Sequence, residues 1–269
     1  MLNPIGYAAC LGEKSIYDTI DFAISNGFNA VEINMNVPMF FPENYSKEDR
    51  LNIKNYTSHK GIVLTLHAPE DISLLQLQED IRQAVISRFK TIIQFGIDIG
   101  AKNLTLHVGP SVCFTLTDRK SYLDESFEEE YKNVLKNNLK EILDFAGNKI
   151  KICVENSGRF PKKVVQEAIQ ELLNNDNYNL YLTWDIGHSL ENKYEEIEFF
   201  IKNIDKIRTC HIHDNNGKSD HQIPGTGLID FKWHFDLMKD KSIVYIIEVR
   251  PREKAAQSLI VLHELGLIH

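Results

Sequence analysis

The chain has 269 residues, of which 43% are hydrophobic, and its formal charge is −8. This length suits one large domain, which we predict over residues 1–269, and no apolar run reaches the roughly 18 residues needed to cross a membrane. The acidic balance argues against a broad nucleic-acid surface, because phosphate binding relies on clustered Lys and Arg side chains.

The first residues and the cysteines favour a cytoplasmic protein. The amino-terminal segment has no basic stretch followed by an apolar stretch, so we expect no secretory signal. The four cysteines are far apart and form no CxxC pattern. Cys153 and Cys210 lie inside apolar, strand-like runs, where a buried free thiol is typical.

Short apolar runs alternate with longer amphipathic runs along the whole chain. In chain order, the predicted strand and helix pairs are 5–9 and 15–26, 30–34 and 46–60, 62–67 and 79–99, 103–108 and 127–146, 150–155 and 162–175, 180–185 and 194–203, 207–213 and 231–239, and 242–249 and 254–266. Apolar strands separated by helices indicate a parallel sheet covered by helices, and eight such units favour a closed barrel over an open sheet. The predicted fold class is therefore α/β, a single (β/α)8 barrel.

Local signals support several of these boundaries. Ser15, Ser46 and Asp230 precede helical runs and are expected to be N-caps. The acidic run 124–130 is interpreted as the first turn of a helix that faces solvent.

Metal-binding residue types stand at the ends of six predicted strands. In this fold the active site is built there, at the carboxyl ends of the strands. The third to eighth strands carry, in order, His67, His107, Glu155, Asp185 with His188, His211 with His213 and Asp214, and Glu248. A pattern confined to one rim of the barrel predicts a functional site at that rim.

Three of these residues are acids that converge on one opening. Burying several carboxylates together is costly unless a cation or protons neutralise them. We therefore predict that Glu155, Asp185, Glu248 and His211 bind a divalent metal, with a metal-free polar network as the alternative. Three carboxylates and one imidazole suit Mn²⁺, Mg²⁺, Co²⁺ or Zn²⁺. His213 is expected to alternate away from His211 and to point into the helix layer.

Five segments carry these residues in chain order: 66–69 (LHAP), 154–156 (VEN), 184–188 (WDIGH), 211–218 (HIHDNNGK) and 247–248 (IE). Together they resemble the xylose-isomerase-like TIM-barrel superfamily, and the resemblance covers essentially the whole chain. Members of this superfamily include sugar-phosphate isomerases, ketose 3-epimerases, inosose-processing enzymes and endonuclease IV. The resemblance identifies the superfamily and does not select one member.

The resemblance implies a role for several side chains. Glu155, Asp185, His211 and Glu248 match the four ligands of the shared metal site. His188 matches a residue that contacts the substrate in the epimerases and binds a further zinc in endonuclease IV.

The resemblance also points to additional metal ligands. His67 and His107 match ligands of another zinc in the nuclease. His221 matches a zinc-binding histidine in the loop 219–227, which ends in Gly-x-Gly. The Asp partner of that histidine is replaced here by Ser219, and Asp220 takes its place only after a shift of one residue.

The first functional hypothesis is isomerisation or epimerisation of a small sugar, sugar phosphate or related polyhydroxylated carbonyl compound. A divalent ion stabilises the enediolate oxygen as a Lewis acid. Two carboxylates on opposite faces then remove and return the proton. Glu155 and Glu248 are the predicted pair, because their strands lie across the barrel mouth.

Five residues are predicted substrate contacts. His188, His67 and His107 are candidates for holding substrate oxygens. Arg250 either contacts a substrate oxygen or phosphate or forms a structural ion pair. Glu32, placed at the end of the second strand, either reaches the substrate or forms a salt bridge.

The second hypothesis is phosphodiester hydrolysis at abasic sites in DNA, which His67, His107, His188 and His221 favour. Glu70 opposes it, because the nuclease carries at this position an aromatic residue that penetrates DNA, whereas a carboxylate repels phosphate. Another metal-dependent dehydration or hydrolysis, and a barrel without catalytic activity, are the remaining alternatives.

The expected partner is a small carbohydrate-like molecule, with neither a membrane nor nucleic acid. The loops 36–45 and 109–125 are expected to shape its pocket, and exposed loops of this kind are compatible with a homo-oligomer.

Overall fold

The computed structural model describes residues 3–268, so Met1, Leu2 and His269 of the predicted domain lie outside the described residues. Its ten strands, in chain order, are β1 (Ile5–Ala9), β2 (Ala30–Asn34), β3 (Val63–His67), β4 (Asn103–Leu106), β5 (Cys113–Thr115), β6 (Lys120–Tyr122), β7 (Lys151–Glu155), β8 (Leu180–Asp185), β9 (Ile207–Ile212) and β10 (Val244–Ile247).

Within the described range, ten α-helices lie between or after these strands. They are α1 (Ile16–Ser25), α2 (Lys47–Lys60), α3 (Glu79–Ile99), α4 (Leu123–Ser126), α5 (Glu128–Ala146), α6 (Lys163–Leu173), α7 (Ile186–Glu191), α8 (Ile197–Lys202), α9 (Phe231–Met238) and α10 (Arg252–Glu264). The side chains of Ser15, Ser46 and Asp230 each accept a backbone N–H from the first turn that follows, which confirms the three predicted N-caps. Between residues 3 and 268, none of the helices combines the length and the apolar character that a membrane crossing requires.

Eight of the strands close into a barrel in the order β1-β10-β9-β8-β7-β4-β3-β2, and every neighbouring pair is parallel. This confirms the predicted (β/α)8 barrel. Parallel pairing requires each connection to carry the chain back to the end of the sheet where the strands begin. The long helices make these connections on the outside of the barrel. The carboxyl ends of all eight strands therefore meet at one rim, here called the mouth.

The inside of the barrel is lined partly by small and polar side chains. Ala8 and Ala30 form a small apolar cluster with neighbours on β10. The hydroxyl groups of Thr105 and Thr183 lie 2.9 Å apart, although their strands β4 and β8 are not adjacent. Side chains of non-adjacent strands meet only inside a barrel, so these threonines form an interior layer below the mouth.

The segment between β4 and α5 differs from the prediction. The sequence predicts a loop over 109–125, whereas β5 and β6 pair as an antiparallel hairpin, followed by the short helix α4. Asp124 is fully buried and accepts hydrogen bonds from Nε and Nη2 of Arg159 at 2.9 and 2.7 Å. The prediction that this acid faces solvent is therefore wrong, because a long-range ion pair compensates its burial.

Candidate metal centre

Three acidic side chains meet at the mouth. Glu155 is the last residue of β7, Asp185 is the last residue of β8, and Glu248 directly follows β10. All three are buried, with exposed fractions of 0, 0 and 5%. They come together because parallel strands of a barrel end at the same rim.

His211, on β9, lies between the three acids. Its Nδ1 atom is 3.1 Å from Oε2 of Glu248, 3.5 Å from Oε2 of Glu155 and 3.8 Å from Oδ2 of Asp185. One ligand atom each from Glu155, Asp185 and His211 lie within 4.8 Å of one another. The three acids thus lie around the same nitrogen of His211, and metal binding by these four residues stays a prediction.

The electrostatics of this cluster favour ionised acids. Burial raises the pKa of the Glu155 carboxyl, but His107 and His211 beside it outweigh burial and hold the pKa well below its usual range. Burial raises the pKa of Glu248 in the same way, and His211 again holds it well below. Burial lowers the pKa of His211, but the charges of Glu32, Glu155 and Glu248 raise it well above its ordinary value. The mouth therefore requires compensating positive charge, which either protons or a cation supplies.

His67 and His107 form a second group on the other side of Glu155. Each histidine has its Nε2 atom 3.2 Å from Oε2 of Glu155. Nδ1 of His67 donates a hydrogen bond to the carbonyl of Ala68 at 2.8 Å. In the neutral ring, Nε2 would then direct a lone pair toward the negatively charged carboxylate of Glu155. The contact therefore requires either a second proton, on Nε2, or a metal ion between the two groups. Burial lowers the pKa of His67, but Glu155 raises it to about 9.

His188 is positioned by the start of α7. Asp185 is the N-cap of this helix and accepts the backbone N–H of His188 at 2.8 Å. The Nδ1 atom of His188 is 3.2 Å from Oε1 of Glu155 and 3.4 Å from Oδ2 of Asp185. Burial lowers the pKa of this imidazole, but Asp185 and Glu155 raise it to about 10.

His213 lies at the mouth and not in the helix layer, so the prediction for this residue is wrong. Residues two apart along a strand share a side, which places His213 on the side of His211. Its Nε2 atom is 2.9 Å from Oδ1 of Asp185, and its Nδ1 atom accepts the backbone N–H of His221 at 2.9 Å. A Cβ atom added at Gly187 would lie 2.1 Å from the His213 ring, so only glycine permits this packing.

His221 also reaches the mouth, from the loop after β9. Its ring stacks on that of His213 at a centroid distance of 4.2 Å and an angle of 8°. Nδ1 of His221 is 3.1 Å from Oδ1 of Asp220, and Nε2 is 3.6 Å from Oε1 of Glu248. Ligand atoms of His188, His213 and His221 lie within 4.8 Å of one another. His213 thus joins the two histidines that were expected there.

Glu32 is not brought to the open part of the mouth. It lies in the middle of β2 and not at its end, and its side chain is fully buried inside the barrel. Its Oε1 atom is 2.9 Å from Nε2 of His211, and Oε2 accepts hydrogen bonds from Thr65 and Thr105 at 3.2 and 3.4 Å. This placement does not support the expected substrate contact and agrees with the alternative of a salt bridge.

Arg250 forms an ion pair within the mouth. Its Nη2 atom donates to Oε1 of Glu248 at 2.5 Å. The structure therefore contains the ion pair that was the alternative to a substrate contact for this residue. About one third of the Arg250 side chain stays exposed, which leaves it accessible to a substrate.

Two residues that support Asp185 were not predicted from the sequence as functional candidates. The side chain of Asn156 accepts the backbone N–H of Asp185 at 2.7 Å and donates to its carbonyl at 2.8 Å. Asn156 in turn donates to Oε1 of Glu196, a fully buried acid between α7 and α8. Asn156 lies in the VEN segment and could have been found there, whereas no sequence signal marks Glu196.

Comparisons with known proteins agree with this architecture. A family model described as xylose isomerase-like TIM barrel matches residues 20–265. An uncharacterised protein of Methanocaldococcus jannaschii is 32% identical over 190 residues, which cover 69% of this chain and 70% of the relative.

Solved structures share the fold over nearly the whole chain. A D-tagatose 3-epimerase-like protein superposes with a TM-score of 0.77 at 21% identity, covering 97% of this chain and 96% of the other. The 3-keto-D-glucoside 4-epimerase of E. coli has a TM-score of 0.75 at 18% identity, covering 97% and 99%. At these identities the likeness concerns the fold alone.

Proposed function

Because the chain belongs to the xylose isomerase-like TIM-barrel family, we propose that it is a divalent-metal-dependent isomerase or epimerase. Its substrate would be a small sugar, a sugar phosphate or a related polyhydroxylated carbonyl compound. The observation that carries the proposal is the pair of buried acids, Glu155 and Glu248, which face the same imidazole of His211 from different strands.

The donor set fits a divalent ion. Oε1 of Glu155 and Nδ1 of His211 are buried and, apart from their ion-pair contacts with His188 and with the acids of the mouth, have no hydrogen-bond partner among residues 3–268. Three carboxylates and one imidazole suit Mn²⁺, Co²⁺, Zn²⁺ or Mg²⁺, and Glu155, Asp185, His211 and Glu248 would hold the ion. When bound, the ion supplies the Lewis acidity that stabilises negative charge on the substrate oxygens.

In the proposed reaction, the two acids remove and return the proton. Glu155 ends β7 and Glu248 follows β10, and two strands, β8 and β9, separate them around the barrel. A carbon held between them is accessible to one carboxylate on each face. The histidines beside them hold the pKa of both carboxyls well below the usual range, which favours the ionised form that a base needs.

The histidines around the acids are suited to hold the substrate. The side chains of His107 and His188 are 14% exposed, so their rings border the open part of the mouth. Their N–H groups can donate to hydroxyl or carbonyl oxygens and keep the reacting carbon between the acids.

A second candidate is zinc-dependent phosphodiester hydrolysis at abasic sites in DNA. It is favoured by two further groups of potential ligands, His67 with His107 and Glu155, and His188 with His213 and His221. Glu70 disfavours it, because this exposed acid at the mouth pairs with Asn36 and would repel DNA phosphate.

Proton exchange distinguishes the two candidates. The protein would be loaded with Mn²⁺, Co²⁺, Zn²⁺ or Mg²⁺ and incubated with a panel of ketoses and ketose phosphates in D2O. We expect that deuterium is incorporated at the carbon next to the carbonyl group only when the metal is present. NMR measures the incorporation, which a chelator should abolish. Cleavage of an abasic duplex without any exchange would support hydrolysis and refute the isomerase.

A further inference from the structure

We propose that Glu32 is a positioning residue for the metal centre, which holds the Nε2 proton of His211 and so directs the unprotonated Nδ1 atom to the ion. The inference rests on the proposed function, because it presumes that His211 is a metal ligand. It assigns to Glu32 a role through His211 and no contact with the substrate.

The two nitrogens of His211 face different surroundings. Nδ1 lies among the acids of the mouth, within 3.1 to 3.8 Å of their nearest oxygens. Nε2 points in the opposite direction, into the barrel, and lies 2.9 Å from Oε1 of Glu32. A neutral imidazole has one proton for two nitrogens, so an acceptor at Nε2 leaves the lone pair on Nδ1.

In the described part of the chain, His211 is the charged partner of Glu32. Among residues 3–268, His211 is the only cationic side chain within ion-pair distance of Glu32. Oε1 of Glu32 and Nε2 of His211 are both buried, and neither has a hydrogen-bond partner among residues 3–268, so the charge contact of 2.9 Å between them is their compensation. A carboxylate is costly to bury without compensation, so the contact is the reason why an acid can stand in the middle of β2.

The other oxygen of Glu32 is fixed by the threonine layer. Oε2 accepts from the hydroxyls of Thr65 and Thr105, and Thr105 also contacts the hydroxyl of Thr183. Oε2 is thus contacted directly from the neighbouring strands β3 and β4, and Thr183 on β8 supports Thr105. A fixed acceptor below His211 orients the ring, as carboxylates behind metal-bound histidines do in general.

Affinity for Co²⁺, followed by visible absorption with a competing chelator, tests the role. We expect Glu32→Gln, which keeps the size and removes the charge, to weaken Co²⁺ binding by about tenfold. On a His211→Ala background the same substitution should change affinity less than about twofold, because Glu32 acts through His211. Glu13→Gln is the matched control, since Glu13 is also buried but contacts Tyr7, Thr19 and Arg252.

A second measurement uses the unaltered protein. In the Zn²⁺-loaded form, ¹⁵N NMR of labelled histidine should show His211 protonated at Nε2 and bound to the metal through Nδ1. Binding through Nε2, an equal effect of Glu32→Gln on both backgrounds, or unchanged affinity would overturn the role of Glu32 alone. Failure of the unaltered protein to bind any of the divalent ions would overturn the proposed function together with it.

Discussion

The two ends of the barrel both concentrate charge, but only one end buries it. At the mouth, Glu155, Asp185 and His211 have no exposed surface and contact one another. At the opposite end, a groove of about 600 Å³ is lined by four lysines and by no acidic residue, the lysines being Lys54, Lys102, Lys149 and Lys151. None of these lysines forms an ion pair with any residue in the described part of the chain, and all but Lys151 are exposed.

The difference shows that burial, more than the number of charges, identifies a site. An exposed lysine keeps its water shell and needs no partner, so it contributes little to the free energy of folding. A buried carboxylate loses that water and must be compensated by protons, by hydrogen bonds or by a cation. Substitutions at the mouth should therefore have large effects, and substitutions in the lysine groove should have small ones.

The largest effect is expected at Glu155. Glu155→Gln removes a base of the proposed proton transfer, and such groups typically contribute about 10²–10⁴-fold to a rate. We expect a loss of this size in kcat for the exchange of substrate hydrogen with solvent. Lys102→Gln is the control at the other end of the barrel. A comparable loss of kcat in this variant would contradict the expected difference between the two ends.

A large loss of stability is expected at Arg159, which compensates the buried Asp124 at the mouth end of the barrel. Arg159→Met leaves this acid buried without a partner and should lower the free energy of unfolding by about 3–5 kcal/mol, measured in urea. The double variant with Asp124→Leu should recover most of the loss. Equal stability of the single variant and the unaltered protein would contradict the role of the pair.

A smaller, pH-dependent effect is expected at Glu196. Burial raises the pKa of this carboxyl above its ordinary value of 4.5, so it stays protonated in the folded protein after the unfolded chain has ionised. Its contribution is complete below pH 4.5 and is lost as the pH rises through the folded pKa. Glu196→Gln should therefore reduce the decline in the free energy of unfolding between about pH 4 and about pH 7. Parallel pH profiles of the two proteins would refute this.

The smallest effect is expected in the lysine groove. Replacing Lys102, Lys149 and Lys151 together by Gln should change the free energy of unfolding by less than about 0.5 kcal/mol for each residue and leave substrate exchange unchanged. A large loss of activity would show that the exposed end of the barrel takes part in function.

The barrel could be predicted because its signal is local and repeated. Each strand is a short apolar run next to an amphipathic helix, and the predicted ends mostly lie within two residues of those observed, for example 180–185 for β8. The hairpin β5–β6 could not be predicted in this way. Its strands have three residues each and are largely exposed, so they carry neither an apolar run nor a core-facing pattern.

Those residues of the candidate site that stand at strand ends could be predicted from the sequence. How deep a side chain lies inside the barrel, and which residue far away in the sequence it contacts, could not be predicted. Glu155 and Asp185 follow from the ends of β7 and β8. Glu32 was placed too near the mouth, since sequence alone does not show how deep a residue lies inside a barrel. The pair of Arg159 with Asp124 joins residues 35 positions apart, and no periodic pattern reports such a contact.

The contact between Gly187 and His213 restricts how this part of the chain can evolve. Any side chain at position 187 would overlap the ring, since the first added carbon would already lie 2.1 Å from it. A larger residue at 187 therefore requires the His213 ring to move or a smaller residue to replace it. The identities of these two positions, 26 residues apart in the sequence, are thus expected to depend on each other.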